Sequence, residues 1–382
     1  MRFGRPSSVL MLITLAGVLA GCGNDGGEAS QTPAREQAQA AGASEPALVN
    51  FYNWSDYIAD QTLPDFEAAT GIKVNYDVYD SNDVLEGKLL AGNTGYDIVV
   101  PTNNFFAVQL SAGLFQPLDK TLIPNLANLD PAIMEKLESV DPGNRHAVPY
   151  AWGTNGLGIN VDAVTARVPD APLDSWALLF DPEIVKNLAD CGVTLLDAPD
   201  EVSEVALNYL GYDPETTDEA QLKEALALVQ AIRPYIRYFH SSQYIDDFAN
   251  GEVCLVLGWS GDLYQAMDDA PGDLNLRYVI PKEGTVLWFD LLAIPSDAPH
   301  PKNAHRLINY LLDGQVSANN TNTTFFPSGN AAALPMINPE ISGDPAIYPP
   351  PEVMARLFPN PVKPPAWVRL RNRLWTTLKS GY

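Results

Sequence analysis

The chain has 382 residues, with 47 acidic and 23 basic side chains and a formal net charge of −24 at pH 7. A surface with this excess of carboxylates repels phosphate backbones and attracts cations, so we expect no nucleic acid partner. The length exceeds what one hydrophobic core usually organises, which predicts two domains.

The N-terminus has the features of an export signal. Basic Arg2 and Arg5 precede an apolar run at 9–18, and the order Leu-Ala-Gly then leads to Cys22. This pattern is typical of a bacterial lipoprotein, in which residues 1–21 are removed and the thiol of Cys22 carries a lipid. The alternative is an ordinary secretory signal with a chance cysteine. The apolar run is too short to span a bilayer.

Residues 22–47 are rich in Gly, Ala, Gln and Ser and show no periodic apolar pattern. We expect them to form a flexible tether, with the folded part beginning at Leu48. The protein is therefore predicted to lie in the periplasm, lipid-anchored to a membrane and monomeric. In that oxidising compartment Cys191 and Cys254 are expected to form a disulfide, although two buried free thiols remain an alternative.

Strand patterns alternate with helical patterns over the first part of the folded chain. A glycine follows each of the three helical patterns, as expected at a helix C-terminus. Three such repeats predict an α/β sheet with parallel strand pairs. The strand patterns are at 48–53, 73–79 and 97–100, and the helical patterns at 63–70, 84–91 and 105–112.

A second region of alternating patterns follows. The Pro-rich segment 347–351 is predicted to be irregular. The remaining strand patterns are at 156–160, 193–196, 254–258, 276–280 and 286–289, and the helical patterns at 202–210, 220–232, 263–267, 303–312 and 368–379.

Two apolar runs, 147–152 and 286–294, are candidate crossings between two lobes. Ligands of open α/β sheets bind at the carboxyl ends of strands, so a cleft between the lobes is the expected site. The predicted division places 48–152 and 288–333 in lobe 1, and 153–287 and 334–382 in lobe 2.

Motifs of common enzymes are not apparent. The sequence has no Gly-rich phosphate loop with Lys and no Gly-x-Ser-x-Gly elbow, and 156–158 lacks the third Gly of a dinucleotide loop. The four His residues show no metal-ligand spacing. We therefore expect neither an enzyme nor a bound cofactor or metal.

Aromatic and carboxylate side chains recur instead near the ends of four predicted strands. Each carboxylate, taken alone, has helix capping as a roughly equal alternative, and each Trp has a place in the core. Their recurrence predicts one shared site. The four segments are 54–57 (WSDY), 197–201 (DAPDE), 259–262 (WSGD) and 288–290 (WFD).

An organic cation suits these side chains. An ammonium over a Trp face gains about 0.5–2 kcal/mol, and a carboxylate adds charge-assisted hydrogen bonds. Two ammonium ends joined by a methylene chain would use both groups. A neutral sugar also accepts Trp and Asp, so sugar binding stays open.

The chain resembles the substrate-binding proteins of bacterial ABC importers for putrescine and spermidine. The likeness is colinear from about Leu48 to Tyr382. It implies the type II periplasmic binding protein fold, two α/β lobes with a hinge that close over a polyamine, and delivery of that ligand to an ABC permease. The segments that carry it are VNFYNWSDYI, FEAATGIKVNYDVYDSND, GYDIVVPTNNF, CGVTLLDAPDEV, ALNYLGYDP, SSQYIDDFANGEVCLVLGWSGDLYQA, WFDLLAIP and FFPSGNAAALP.

The resemblance also implies roles for residues of the first lobe. Trp54 and Tyr57 belong to an aromatic box, and Ser55 and Asp56 add polar contacts to the ligand. Thr102 stands where a Ser hydroxyl is usual in the family.

The same resemblance assigns the two ends of the ligand. Glu201 holds one terminal ammonium, and Asp262 and Asp290 take the other amine. Trp259 and Trp288 lie on either side of the methylene chain.

Other positions leave the choice of ligand open. Asn104 lies two residues beyond Thr102, and Phe326 replaces a usual Tyr and so removes a hydroxyl. Asp262 resembles putrescine-preferring members, whereas Trp288 resembles spermidine-preferring ones. Cys191 and Cys254 match a disulfide of the family. A related ligand, such as an amino-acid conjugate of a polyamine, and a sensor role remain alternatives.

Overall fold

The structure is a computed structural model that describes residues 45–380. The predicted signal 1–21, the lipidated Cys22 and the tether up to residue 44 lie outside the described residues. The first strand of the described residues begins at Leu48, where the fold was predicted to start, and three residues before it are also held against the fold. The carboxylate of Glu45 accepts hydrogen bonds from the amides of Lys302 (3.0 Å) and Asn303 (2.9 Å), and so holds the chain against the N-terminus of a helix.

Ten strands are described in residues 45–380. They are β1 Leu48–Trp54, β2 Lys73–Tyr79, β3 Ile98–Val99, β4 Ala147–Asn160, β5 Val193–Leu195, β6 Tyr238–Phe239, β7 Leu255–Trp259, β8 Leu276–Val279, β9 Val286–Ala293 and β10 Phe358–Pro359.

Sixteen α-helices accompany these strands in the same part of the chain. They are α1 Thr62–Thr70, α2 Asn82–Ala91, α3 Asn103–Ser111, α4 Pro131–Leu137, α5 Val161–Arg167, α6 Ala177–Phe180, α7 Pro182–Val185, α8 Pro199–Tyr209, α9 Glu219–Ile232, α10 Tyr244–Ala249, α11 Ser260–Asp269, α12 Pro301–Leu311, α13 Gly314–Thr324, α14 Pro339–Ser342, α15 Pro351–Met354 and α16 Pro365–Ser380.

Local sequence sets the helix ends that frame the first lobe. Gly71 adopts a left-handed conformation (φ 72°) after α1, and its amide bonds the carbonyl of Glu67. The Ser81 side chain accepts a hydrogen bond from the amide of Asp83 and caps α2. These signals end and begin the helices that connect β1, β2 and β3, so the three strands pair in parallel, as predicted.

The strands are ordered β2-β1-β3-β9-β4-β7-β5-β6, with β10 on β9 and β8 on β4. The long, fully buried β4 links two α/β lobes. Its residues up to Thr154 pair with β9, and those from Asn155 onward pair with β7 and β8. The two predicted crossings, 147–152 and 286–294, are therefore the antiparallel partners β4 and β9 at the centre of the molecule.

The second lobe combines parallel and antiparallel pairs. β5 lies parallel to both β6 and β7, whereas β7 and β8 run antiparallel to β4. Helix α9 buries Leu222, Leu226 and Val229 along one stripe. The predicted disulfide between Cys191 and Cys254 is present, with the two Cα atoms 5.6 Å apart, and it joins the start of β5 to the start of β7.

Several predicted boundaries differ from the structure. The strand pattern at 156–160 is only the end of β4, because glycines and Pro149 interrupt the apolar pattern before it. The predicted irregular segment 347–351 is correct except at its end, since Pro351 occupies the first turn of α15. Within residues 45–380 no helix combines the length and apolarity needed to cross a membrane.

Candidate functional site

A cavity of about 390 Å³ lies at the junction of the two lobes. It is placed where β1, β3, β5 and β7 end, because the carboxyl ends of these strands point to the same junction. All of its lining residues were predicted from the sequence. They are Trp54, Ser55, Tyr57, Thr102, Glu201, Trp259, Asp262, Trp288, Asp290 and Phe326.

Asp290 lines the cavity from the central strand β9. Its Oδ1 accepts a hydrogen bond from the Thr102 hydroxyl (2.7 Å), and its Oδ2 accepts one from the Tyr57 hydroxyl (2.9 Å). Asn82 in turn donates to the Thr102 hydroxyl over 2.8 Å. The carboxylate is thus fixed in position by donors from the first lobe.

Glu201 lies in the first turn of α8, in the second lobe. Its Oε2 accepts hydrogen bonds from Nδ2 of Asn155 and Nε1 of Trp259, both at 2.7 Å. Oδ1 of Asn155 accepts from Nε1 of Trp288 (3.1 Å), so one amide orients both the carboxylate and an aromatic wall. Oε1 of Glu201 accepts no hydrogen bond from any residue of the described chain.

Asp262 is the third buried carboxylate and lies in the first turn of α11. Its Oδ2 accepts a hydrogen bond from the Tyr244 hydroxyl over 2.5 Å. No protein donor within 45–380 reaches its Oδ1. Since Asp262 and Glu201 both line the cavity, this oxygen and Oε1 of Glu201 are available to a donor inside it.

Aromatic side chains form the walls between these carboxylates. Trp54 and Trp259 meet edge to face with centroids 5.6 Å apart, one from each lobe. Phe326 packs edge to face against Tyr57 (4.7 Å) and Trp288 (5.5 Å). The cavity is therefore lined both by aromatic rings from the two lobes and by three carboxylates.

Two glycines leave room for these rings. A Cβ at Gly153, on β4, would lie 2.5 Å from the Trp288 ring, and one at Gly261 would lie 2.5 Å from the Phe326 ring. These distances are below any normal contact, so each ring depends on the missing side chain beside it.

Burial perturbs the ionisation of all three carboxyl groups. Desolvation raises the pKa of Asp262 to about 7 and that of Asp290 to about 7, against the lowering effect of their hydroxyl donors. Burial, followed by the charge of Asp200, also raises the pKa of Glu201 well above its usual value. The empty cavity therefore holds carboxyl groups that bind protons near neutral pH.

Two predicted site residues do not line the cavity. Asp56 is exposed in the turn after β1, with a left-handed backbone (φ 53°). Asn104 points away from the cavity wall, and its Nδ2 donates to Oδ2 of Asp200 across the lobe junction (3.2 Å). Their predicted contact with a ligand stays a prediction.

Helix capping does not explain the carboxylates. Helices α8 and α11 have Ala198 and Trp259 at their N-caps, without a side-chain capping hydrogen bond. Asp197 instead accepts from Nε1 of Trp375 and from Nζ of Lys379, both on α16. The capping alternative is wrong for Asp197 and Asp262.

Three supporting residues were missed by the sequence interpretation. They are Asn82, Asn155 and Tyr244, which hold Thr102, Glu201 and Asp262. The sequence could have indicated Asn155, because it is a polar residue within the apolar strand β4, where its amide is fully buried. The sequence could not have indicated Tyr244, because its partner Asp262 lies on another helix. No group of three or more His, Cys, Asp or Glu in residues 45–380 is arranged to hold a metal ion.

Comparison with known proteins identifies similar chains. A family model described as bacterial extracellular solute-binding protein matches residues 61–349. The putrescine-binding periplasmic protein SpuD of Pseudomonas aeruginosa is 48% identical over 384 residues, covering 100% of this chain and 99% of its own. The putrescine-binding periplasmic protein PotF of Escherichia coli is 48% identical over 344 residues, covering 89% and 93%.

Solved structures agree with these sequence matches. A putative spermidine/putrescine ABC transporter from Listeria monocytogenes superposes with a TM-score of 0.80 at 31% identity. The match covers 87% of this chain and 99% of that one. The two-lobed fold is thus shared over nearly the whole described region.

Proposed function

The chain belongs to the family of bacterial extracellular solute-binding proteins, and from this premise we propose that it binds a polyamine between its lobes and delivers it to an ABC importer. Two relatives that match it over most of its length are named as periplasmic putrescine-binding proteins. We place this protein in the periplasm and assign it a binding role without catalysis.

One observation carries the proposal: three buried carboxylates have no cationic side chain beside them. Within residues 45–380, no Lys, Arg or His lies within 4 Å of Glu201, Asp262 or Asp290, although all three are at most 5% exposed. Burying unpaired carboxylates is costly, so the missing positive charge is supplied by the ligand. Aromatic walls between the carboxylates suit the methylene chain of a diamine or triamine.

Closure of the lobes follows from the placement of these groups. Asp290 is oriented by Thr102 and Tyr57 of the first lobe, and Glu201 and Asp262 belong to helices of the second. A polyamine contacts both sets only when the lobes are together, so binding stabilises the closed state. Strands β4 and β9, which are shared by the lobes, form the hinge.

Finer features complete the proposal. Lobe 1 comprises 48–152 and 288–333, and lobe 2 comprises 153–287 and 334–382. The protein acts as a monomer, anchored to a membrane through a lipid on Cys22. The ten residues that line the cavity contact the ligand, with Asp56 and Asn104 at its margin.

A thermal-shift screen with the purified mature protein tests the ligand class. We expect putrescine and spermidine to raise the melting temperature by several degrees at concentrations far above their dissociation constants, and sugars to leave it unchanged. Native mass spectrometry of the untreated protein should detect a bound amine. A rise with sugars but none with either polyamine would refute the proposal.

Replacing Gly153 by alanine tests the aromatic wall. The new Cβ displaces the Trp288 ring, and we expect calorimetry to show polyamine affinity reduced about tenfold, or about 1.4 kcal/mol. Gly87→Ala is the matched control, because nothing lies within 4 Å of its Cβ position on α2. Equal affinities in the two variants would show that Trp288 does not pack on the ligand.

A further inference from the structure

A second groove lies beside the cleft, between α2 and α3 on one side and the C-terminal segment 361–372 on the other. Its volume is about 790 Å³. The first wall carries Asp83 and Glu86 beside Phe105 and Val108, and Val362, Arg369 and Arg371 line the other. The groove has no role in the polyamine site described above.

The groove is continuous with the mouth of the polyamine cavity. A smaller space between them shares Trp54, Glu201 and Trp259 with the cavity. It shares Asp83 and Phe105 with the groove. A protein that receives the ligand at this mouth therefore meets the groove next to it.

The walls of the groove come from different lobes. Helices α2 and α3 follow β2 and β3, and α3 packs against β9. Helix α16 packs against α8 and α9 of the second lobe. The Asn104–Asp200 hydrogen bond joins the two sides beside the groove. The groove therefore takes this shape only when the lobes are closed.

The C-terminal wall is basic in an otherwise acidic protein. From residue 360 to the end, the chain has five Lys and Arg and no Asp or Glu, against twice as many acidic as basic residues overall. Lys379 pairs with Asp197, and Lys363 donates to the carbonyls of Pro214 and Thr216. These two charges are already used within the protein.

Arginines of α16 are not used in this way. Arg369 and Arg373 are exposed one turn apart, and neither has a carboxylate within 4 Å in the described part of the chain. Arg371 is buried in the groove, and its charge acts on the carboxylate of Glu86. Beside them, Val108 is 43% exposed and Val362 is 52% exposed. Unpaired arginines next to exposed apolar side chains are typical of a protein interface.

We propose that this groove and the Arg369–Arg373 face of α16 dock the permease of the importer, through an acidic and apolar segment on its outer surface. The inference rests on the proposed function and adds the place and chemistry of the contact. Since both lobes build the groove, the permease distinguishes the closed, loaded protein from the open one. The charge of the arginines selects an acidic partner segment, and the valines supply its apolar contacts.

The test uses the double variant Arg369→Glu, Arg373→Glu with the cognate permease complex in proteoliposomes. We expect polyamine affinity by calorimetry to stay at the wild-type value, because neither residue lines the cavity. Polyamine-dependent ATP hydrolysis by the permease should fall about tenfold or more at subsaturating binding protein, and high salt should weaken the wild-type response. Arg306→Glu is the matched control and should behave as wild type, because Arg306 is exposed on α12 and has no carboxylate within 4 Å among residues 45–380.

Three outcomes overturn the docking proposal. Unchanged ATP hydrolysis with the double variant refutes it directly. Equal losses with Arg306→Glu show only a general charge effect. The third outcome uses vesicles of equal parts phosphatidylglycerol and phosphatidylcholine. If the wild type binds them and the double variant does not, while ATP hydrolysis stays normal, the arginines contact the lipid surface instead of the permease. The proposed function fails in a different way. It is refuted if calorimetry shows that the wild-type protein binds no polyamine, and this measurement does not involve the permease.

Discussion

Replacing Asp290 by asparagine should weaken putrescine or spermidine binding about 30-fold or more, or about 2 kcal/mol. The carboxylate is 4% exposed and already accepts hydrogen bonds from Thr102 and Tyr57. An asparagine keeps the size of the side chain but removes the charge that a buried ammonium needs. Titration calorimetry at pH 8, where the wild-type carboxyl is ionised, measures the loss.

Stability should change in the opposite direction. In the ligand-free protein, burial of the Asp290 carboxylate is unfavourable at pH 8, as its raised pKa shows. A neutral amide removes that cost, so we expect the ligand-free variant to melt no lower than the wild type. Weaker binding without lower stability separates a ligand contact from a structural role.

Asp344→Asn is the matched control for Asp290→Asn. Asp344 accepts a hydrogen bond from the Tyr264 hydroxyl (2.8 Å), as Asp290 does from Tyr57, but it lies outside the cavity. Its replacement should leave polyamine affinity unchanged. Wild-type affinity in both Asp290→Asn and Asp262→Asn would contradict the assigned site.

Much of the fold is encoded in local patterns. The alternation in 73–79 and the glycines after α1 and α2 identify these elements without any tertiary information, because they depend on the backbone and on near neighbours. The central strand β4 is harder to identify. Its sequence AVPYAWGTNGLGIN contains Pro149 and several glycines, and it is stabilised by pairing with β7, β8 and β9, which follow much later in the chain, from Leu255 onward.

The cavity lining could be predicted because its residues sit at strand ends and match a family pattern. The residues that orient them could not. Tyr244 reaches Asp262 from α10, and Asn155 joins Glu201 to Trp288, so each depends on how separate elements pack. Supporting hydrogen bonds of this kind leave no regular spacing in the sequence.

Asn104 has a hydrogen-bond partner that the sequence did not indicate. Its position two residues after Thr102 suggests a place in the cavity, but Asn103 begins α3 and the helix changes the direction of successive side chains. Nδ2 of Asn104 therefore reaches Asp200 on the other lobe instead of the cavity.

Polyamine affinity should fall steeply below neutral pH. Asp262 and Asp290 each have a pKa of about 7 in the empty cavity because burial disfavours their charged forms. The amines of the ligand stay protonated up to about pH 10. Binding therefore requires that the carboxyls release their protons, and two such groups predict a dissociation constant about 100-fold higher at pH 6 than at pH 8.

The same ionisations affect the free energy of unfolding of the ligand-free protein, but in the opposite direction: it falls as the pH rises. Between the unfolded pKa of about 4 and the folded pKa of about 7, the native state binds more protons than the unfolded one. The contribution of these groups to the free energy of unfolding is thus fully present below about pH 4 and is lost as the pH rises to about 7. Bound polyamine replaces the lost protons as counter-charge, so it should raise the melting temperature more at pH 8 than at pH 6.

Calorimetry from pH 6 to pH 8 in two buffers with different ionisation enthalpies measures both affinity and proton release. Near pH 7 we expect more than one proton released per polyamine bound, since Asp262 and Asp290 are each about half protonated and Glu201 has a pKa raised to about 8. The double variant Asp262→Asn, Asp290→Asn should release fewer protons, whereas Asp344→Asn should match the wild type. Buffer-independent enthalpies together with a constant dissociation constant would show that these carboxyl groups do not change their protonation when the ligand enters, which would contradict the raised pKa values of Asp262 and Asp290.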